Sequence, residues 1–447
     1  MTDDLLAVAV AVAGSARNGE QVDVMMSRGR STSVKVFGGE VESFTSAQSS
    51  GVGVRVILDG RVGFAHAGSL DADVVAEVLR DARDNVQFSQ FDEWVGLAEP
   101  DGVDHVAHLQ WNDDLVSMDP AAKIAAAIDL ERRTCGLDPR VTGVRTAAWS
   151  DGAGEVAYAS SEGIAVLDRG TSCSIGVQPL ARDGDETQIG SAGDAARSAG
   201  ALDPERVARD AVERATRLLG GAKPASGRLA IVLEPRLVGS LLGLVSGMLD
   251  GDSVLKGRSP FAGRVGEKIA SPLLSVADDP TRSESLGAES WDGEGLACRR
   301  NPLISGGVLD GFLHNSYTAR RSATSSTGSA MRGPRSLPGV GARVLVMEPG
   351  ERSFEQLVES VDLGLFVGSF AGLHSGVNPV SGDFSVGVDG VMIRGGSLAE
   401  AVREATIAST LQRLLLDVVE IGGDAEWLPS GDYLASMVVG DIALSGA

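Results

Sequence analysis

The chain has 447 residues, 43% of them hydrophobic and 22% charged, with a formal net charge of −22. That is enough apolar sequence for about two or three domains with proper cores. The acid excess excludes binding to a nucleic-acid phosphate backbone or to an anionic membrane surface, because both need clustered Lys and Arg. No stretch reaches the roughly 18 to 20 consecutive apolar residues of a membrane span. Cys135, Cys173 and Cys298 are odd in number and far apart, which suggests neither a disulfide framework nor a thiolate metal cluster.

At the N-terminus, Asp3 and Asp4 precede a short Ala/Val-rich run. Acid is the wrong charge for a secretory leader and the right one for a helix cap, so a first helix and a cytoplasmic location are expected. The segments "VDVMMSRG", "STSVKVFGGEVESFTSA" and "GVGVRVILDGRVGFAHAG" then alternate apolar and polar residues, broken at Gly38-Gly39 and Asp59-Gly60. Such dipeptides supply the positive φ of tight hairpin turns, which predicts an antiparallel meander with Val34, Val36, Val52, Val54 and Val56 facing inward.

Apolar spacings of three and four predict helices over 71–87 and 120–136, followed by strands around 141–180. "ARDGDETQIGSAGDAARSAG" reads as a polar, small-residue loop. Residues 203–219 should be helical, with Asp203 as cap, Pro204 in the first turn and Gly220-Gly221 as terminator. The stretch "GGAKPASG" marks a boundary, giving domains 1–220 and 221–447. The second half reads as strand-rich, with helices near 235–249 and 398–417 and a hairpin turning near Asp389-Gly390. Strands and helices come in blocks, so the fold class is α+β: an N-terminal antiparallel meander with helices, then a strand-rich C-terminal domain with a few helices.

Of the five histidines (His66, His105, His108, His314 and His374), only His105 and His108 are close in sequence, in a segment with no helical pattern. There is no HExxH, so a helical zinc site is not expected, and no GxSxG elbow offers a nucleophile. Two stretches stand out. From Gly311 to Met347 there is no Asp or Glu, yet Arg320, Arg321, Arg332, Arg335 and Arg343 occur, with "SATSSTGSAMRGPRSLPG" among them. This reads either as a mobile cationic clamp for a peptide carboxylate or acidic side chain, or as a solvated loop whose arginines pair with neighbouring acids. "GLHSGVNPVSGDFSVGVDG" places His374, Asn378, Ser381, Asp383 and Ser385 among glycines, as a ligand-facing loop or a tight structural turn.

Taken together, "FLHNSYTARR", "SSTGSA", "GLHSGVNPVSGDFSVGVDGVMIRGG", "EATIASTLQRLLLDVVEIGGD" and the N-terminal "VKVFGGEVESFTSAQSSGVGVRVILDGRVGFA" resemble the TldD/PmbA family over nearly the whole chain. The resemblance implies one of two subunit types. TldD-type chains carry a zinc-binding HExxxH helix and a distant third ligand, a C-terminal Cys. PmbA-type (TldE) chains lack these and pair with TldD in a cytosolic protease that threads unfolded or leader-type peptides into an enclosed chamber.

Laid without gaps on "LGLVSGMLDGD", the motif's histidines fall on Leu242 and Gly247 and its glutamate on Gly243, while the ending "LDGD" (249–252) still matches. No Cys follows Cys298. Leu and Gly side chains offer no lone pair for a metal and no base for water. The resemblance therefore implies a PmbA/TldE-type subunit with no catalytic residue, metal or cofactor of its own, and zinc in a TldD-type partner. An extended peptide would be held by Arg320, Arg321, Arg332 and Arg335 and by His374, Asn378 and Asp383, with no nucleic-acid or membrane partner. An older label for the family, modulator of DNA gyrase, would on this charge balance act through proteolysis of a protein rather than through DNA contact. Two other readings stay open: a stand-alone, homodimeric peptide-binding protein, and an enzyme using His374 with Asp383.

Overall fold

The structure, a computed structural model, describes residues 4–446. Helix α1 (Leu5–Ala13) begins at Asp4, whose carboxylate accepts the Leu6 N–H as a cap. The chain then enters two long strands, β1 (Gln21–Phe37) and β2 (Glu40–Leu58), followed by β3 (Arg61–Ala67). Both turns are where the sequence puts them. Gly38 and Gly39 have φ of 63° and 77°, and Asp59 and Gly60 have 48° and 68°, the doubly positive geometry that follows strand twist.

Helix α2 (Ala72–Asn85), a one-turn helix α3 (Asp113–Val116) and helix α4 (Pro120–Gly136) come next. They are followed by β4 (Val141–Ser160), β5 (Ala165–Asp183), β6 (Glu186–Ile189), β7 (Ala192–Ala196) and helix α5 (Pro204–Thr216). The strands form one antiparallel sheet in the order β3-β2-β1-β4-β5-β6, with β7 also on β5. All five valines expected to face inward are fully buried. Those of one end pack under α1 and α2, while Val34 and Val36 share a second cluster with Trp149, Leu130 and residues of α5.

The stretch 181–200 is not a loop but carries β6 and β7. Its small residues mark close approach, not mobility: a Cβ on Gly190 would lie 2.1 Å from the Ala211 carbonyl oxygen of α5.

The C-terminal half is built on β8 (Gly227–Leu233) and helix α6 (Pro235–Met248). Its main sheet runs Ser397–Thr410, Asp383–Arg394, Leu363–Ala371, β8, Met437–Ser445, Val418–Ile421. The strand Ser397–Thr410 also pairs with Met437–Ser445, through Thr406 to Ser445, so the sheet closes on itself around the largest apolar core.

Two expectations fail here. Residues 398–417 are not one helix; they are the strand Ser397–Thr410 followed by a short helix, Leu411–Leu416, capped by Thr410. The helix-forming Ala and Glu lose to pairing with Asp383–Arg394 and to burial of Val402, Ala405 and Ile407. Asp389-Gly390 is not a turn either. Asp383–Arg394 runs through it as one strand, Gly390 opposite Val367 and Val402, and the chain reverses at Gly395-Gly396.

A buried ionic cluster joins the two sheets' layers. Asp23 of β1 accepts hydrogen bonds from Arg55 Nε (3.1 Å) and Nη2 (2.5 Å) on β2 and from the Tyr158 hydroxyl (3.1 Å) on β4. From the C-terminal half, Arg332 places Nη1 2.9 Å from the same carboxylate, with both side chains 0% exposed. Glu294 lies 3.7 Å from Arg55 and accepts the Ser316 N–H and hydroxyl at 2.8 and 2.7 Å. Burial alone would raise the Asp23 pKa, but the guanidiniums of Arg332 and Arg55 outweigh it and hold the carboxyl below its ordinary range.

Removing one member strands the others uncompensated in a dry interface. Asp23→Ala should cost about 3–5 kcal/mol, read as a lowered midpoint in denaturant unfolding, whereas an exposed arginine such as Arg335 changed to Ala should stay within about 0.5 kcal/mol.

Candidate functional site

Helix α6 lies where a zinc motif would lie by resemblance, and its geometry can be set against the needs of a metal. Leu242 points into the core, 2% exposed. Gly243 and Gly247 lie on the exposed side, and a Cβ built at either meets nothing within 4 Å. The three positions thus split between a buried hydrocarbon and two bare, solvent-facing turns, and the residues present do not fit zinc. Among the described residues, no group of three His, Cys, Asp or Glu side chains could hold a metal ion.

The retained "LDGD" does structural work. Leu249 is buried, and Asp250 caps the short helix Gly251–Leu255 by accepting the Ser253 N–H at 2.6 Å. A Cβ on Gly251 would sit 2.3 Å from Nδ1 of His314. His314 itself is buried, its Nδ1 3.1 Å from the Thr318 hydroxyl, and burial keeps its pKa below the usual imidazole range.

The cationic stretch is irregular over 322–329 and 332–338 and regular around these segments. Residues 316–321 form a helix capped by Asn315, and Ala330–Met331 pairs with Gly339–Val340. Arg320 donates to the carbonyls of Trp94 (2.8 Å), Gly96 (2.8 Å) and Leu97 (3.3 Å), tying down the long connection after α2. Arg332 is spent on Asp23, and Arg343 on Glu289 and the Ala330 carbonyl. Spacing in sequence could not reveal the partners of Arg320 at 94–97, of Arg332 at Asp23 or of Arg343 at Glu289, because these lie on other segments.

Arg321 and Arg335 are exposed. Arg321 donates to the Tyr317 hydroxyl at 3.0 Å. Arg335 lines a cleft of about 740 Å³ on the N-terminal sheet, with Arg28, Arg30, Ser49, Glu155 and Trp111. Ser49, Gly29, Gly154 and Gly170 lie side by side across β2, β1, β4 and β5 at this point. Three adjacent strands are therefore bare of side chains along one row. Each glycine is visible in the sequence, but their alignment is a property of register alone.

The 372–390 stretch forms a turn leading into a strand. The Asn378 side chain accepts the N–H groups of Val380 (2.9 Å) and Ser381 (3.2 Å), and Asp383 accepts the Ser381 hydroxyl at 2.7 Å. His374 is exposed, and among the described residues it makes no hydrogen bond to Asp383.

Residues 22–86, 113–219 and 226–446 match, in order, domain 1, the central domain and the C-terminal domain of the PmbA/TldA metallopeptidases. The chain belongs to the PmbA/TldD metallopeptidase family. It is 25% identical to Metalloprotease PmbA of Escherichia coli O157:H7 over 427 residues, covering 95% of this chain and 92% of that one. It is 27% identical to the Metalloprotease TldD homolog of Haemophilus influenzae, over 80% of this chain and 76% of that one. Its fold matches the crystal structure of TldE from Thermococcus kodakarensis with a TM-score of 0.87 and 24% identity, covering 95% and 97% of the two chains.

In this PmbA/TldD-family chain two acids hold the arginine-bearing segment in place. Asp278 accepts the N–H groups of Arg343 and Val344 at 2.8 and 2.9 Å, and Asp292 accepts that of Ala330 at 3.0 Å. Burial pushes the Asp278 pKa up to about 6. Burial, with Glu294 beside it, pushes that of Asp292 up to about 7.

A carboxyl whose folded pKa lies above its unfolded value keeps a proton that the unfolded chain releases. Its contribution to stability is therefore complete below about pH 4 and is lost as pH rises through the folded value. Wild type should lose stability relative to Asp278→Asn as pH rises from about 4 to about 6, with the difference level above that window. Denaturant midpoints of both chains across the range would check this.

Proposed function

We propose that this chain is the PmbA-type (TldE) member of a two-chain metallopeptidase. It has no catalytic centre of its own and works in the cytoplasm beside a TldD-type partner that supplies zinc. The observation that carries this reading is helix α6, where Leu242 is turned into the core and Gly243 and Gly247 present no side chain at all. A metal-activated water needs ligands and a base on that helix, and these three residues supply neither. The chain's share of the work is then to build a wall of the chamber and hold an extended, unfolded or leader-type peptide for its partner.

The cleft beside Arg335 suits that task. Its glycine row lets a peptide main chain approach the sheet backbone closely, and the exposed guanidinium offers a charge-assisted hydrogen bond to a carboxylate. The predicted contacts of Arg320 and Arg332 are not part of this proposal, since both arginines are committed to the protein's own groups. His374, Asn378 and Asp383 form the second surface proposed to face the peptide.

The deciding experiment is purification from the native cell followed by metal analysis. A co-purifying zinc-bearing relative, with no zinc on the isolated chain, is expected. Stoichiometric zinc on the isolated chain, with hydrolysis abolished by chelation, would overturn the reading. In the assembled pair, Arg335→Ala should raise KM for an acidic peptide about fivefold, the loss of one exposed charge-assisted contact, and leave kcat unchanged.

A further inference from the structure

A second cavity, of about 260 Å³, lies where the two halves of the molecule meet, next to the cleft beside Arg335. Strands β1, β4 and β5 supply one wall, with Met25, Val156 and Asp168. Residues 289–293, 331–332 and 343 of the C-terminal half supply the other. It reaches solvent past Glu289 and Met331, which line it and are exposed.

Three lining side chains carry a buried N–H group with no partner among the described residues: Trp291 at Nε1, Arg332 at Nη2 and Arg343 at Nη1. Trp291 is 8% exposed, and the side chains of Arg332 and Arg343 are 0% and 7% exposed. A buried donor left unpaired is costly, and three around one cavity call for an acceptor from outside the chain. Their other nitrogens are held, those of Arg332 by Asp23 and the Ser336 carbonyl, those of Arg343 by Glu289 and the Ala330 carbonyl. The bonds that withdraw both arginines from a peptide on the surface therefore fix their remaining arms beside the cavity.

The same cavity has an acidic side. Asp168 is half-buried, hydrogen-bonded to Ser290, and makes no salt bridge among the described residues. Burial, and then the neighbouring Glu289 charge, raise its pKa, the mark of a carboxylate short of a cation. A simple anion entering here would meet Asp168 and Glu289, and a simple cation would meet Arg332 and Arg343. A small molecule bearing both signs suits both sides. The volume is below the roughly 300 to 1,000 Å³ of pockets for drug-sized ligands, and Met25, Val156 and the Trp291 ring offer it an apolar surface.

From this we infer that the cavity binds a free α-amino acid with an aliphatic side chain. Its carboxylate accepts from Trp291, Arg332 and Arg343, and its ammonium donates to Asp168. This inference rests on the cavity alone and does not depend on the proposed zinc-bearing partner.

Calorimetric titration of the purified full-length chain with L-leucine should show saturable, one-to-one binding below about 1 mM. Leucinamide, without the carboxylate, and 4-methylpentanoate, without the ammonium, should each bind at least about tenfold more weakly. Trp291→Phe keeps a ring and removes the N–H; it should weaken leucine about tenfold and leave leucinamide unchanged. Asp168→Asn should weaken leucine about as much and leave 4-methylpentanoate unchanged. Both variants should keep the wild-type circular dichroism and thermal midpoint in the absence of leucine. A chain that shows no saturable leucine binding, or binds all three probes equally, would overturn the inference. Leucine binding indifferent to both substitutions would do the same.

Discussion

One carboxylate at the junction of the two halves sets the terms for the rest. Asp23 lies in the middle of the N-terminal sheet, where an unpaired charge would be prohibitive. It is tolerated because Arg55 and Tyr158 reach it from neighbouring strands and Arg332 reaches it from the other half of the molecule. Arg55 in turn faces Glu294, which holds the start of the helix bearing Arg320. The cluster therefore fixes how the two sheets meet. Its energetic return is modest, since buried ion pairs mostly repay their own desolvation. Its structural return is specificity, because any other docking would leave several buried charges unpaired.

This constraint explains why the most basic stretch of an acidic protein is not the free clamp that its composition suggests. Three of its five arginines are fasteners that reach other parts of the chain: Arg320 the Gly96 carbonyl, Arg332 the Asp23 carboxylate and Arg343 the Glu289 carboxylate. Arg335, one of the two left exposed, borders the broad cleft on the N-terminal sheet. A side chain cannot both anchor the fold and be available to a passing peptide, so the contacts of Arg320 and Arg332 within the protein narrow the proposed peptide-facing surface.

Helix α6 shows how the segment behind the proposal is used. Leu242 is core packing, Gly243 and Gly247 are bare helix surface, and "LDGD" has a packing and capping role. Asp250 closes the next helix, and Gly251 makes room for His314.

The sequence by itself determined the meander, both of its Gly-containing turns, the capped helices and the inward valines, because each depends on neighbours within a few residues. It also determined that positions 242, 243 and 247 bear no ligand atoms. Tertiary structure alone decided the fate of 398–417, where helix-forming residues yield to a sheet that closes around the core. It likewise decided that Asp389-Gly390 runs on as strand, that the small residues of 181–200 pair at an edge, and that three arginines bind groups within the protein. Several of these outcomes are set from tens to hundreds of residues away, as Ser445 does for Thr406 and Asp23 for Arg332. Local pattern carries no record of register or of long-range charge pairing, and those two quantities shaped the candidate site.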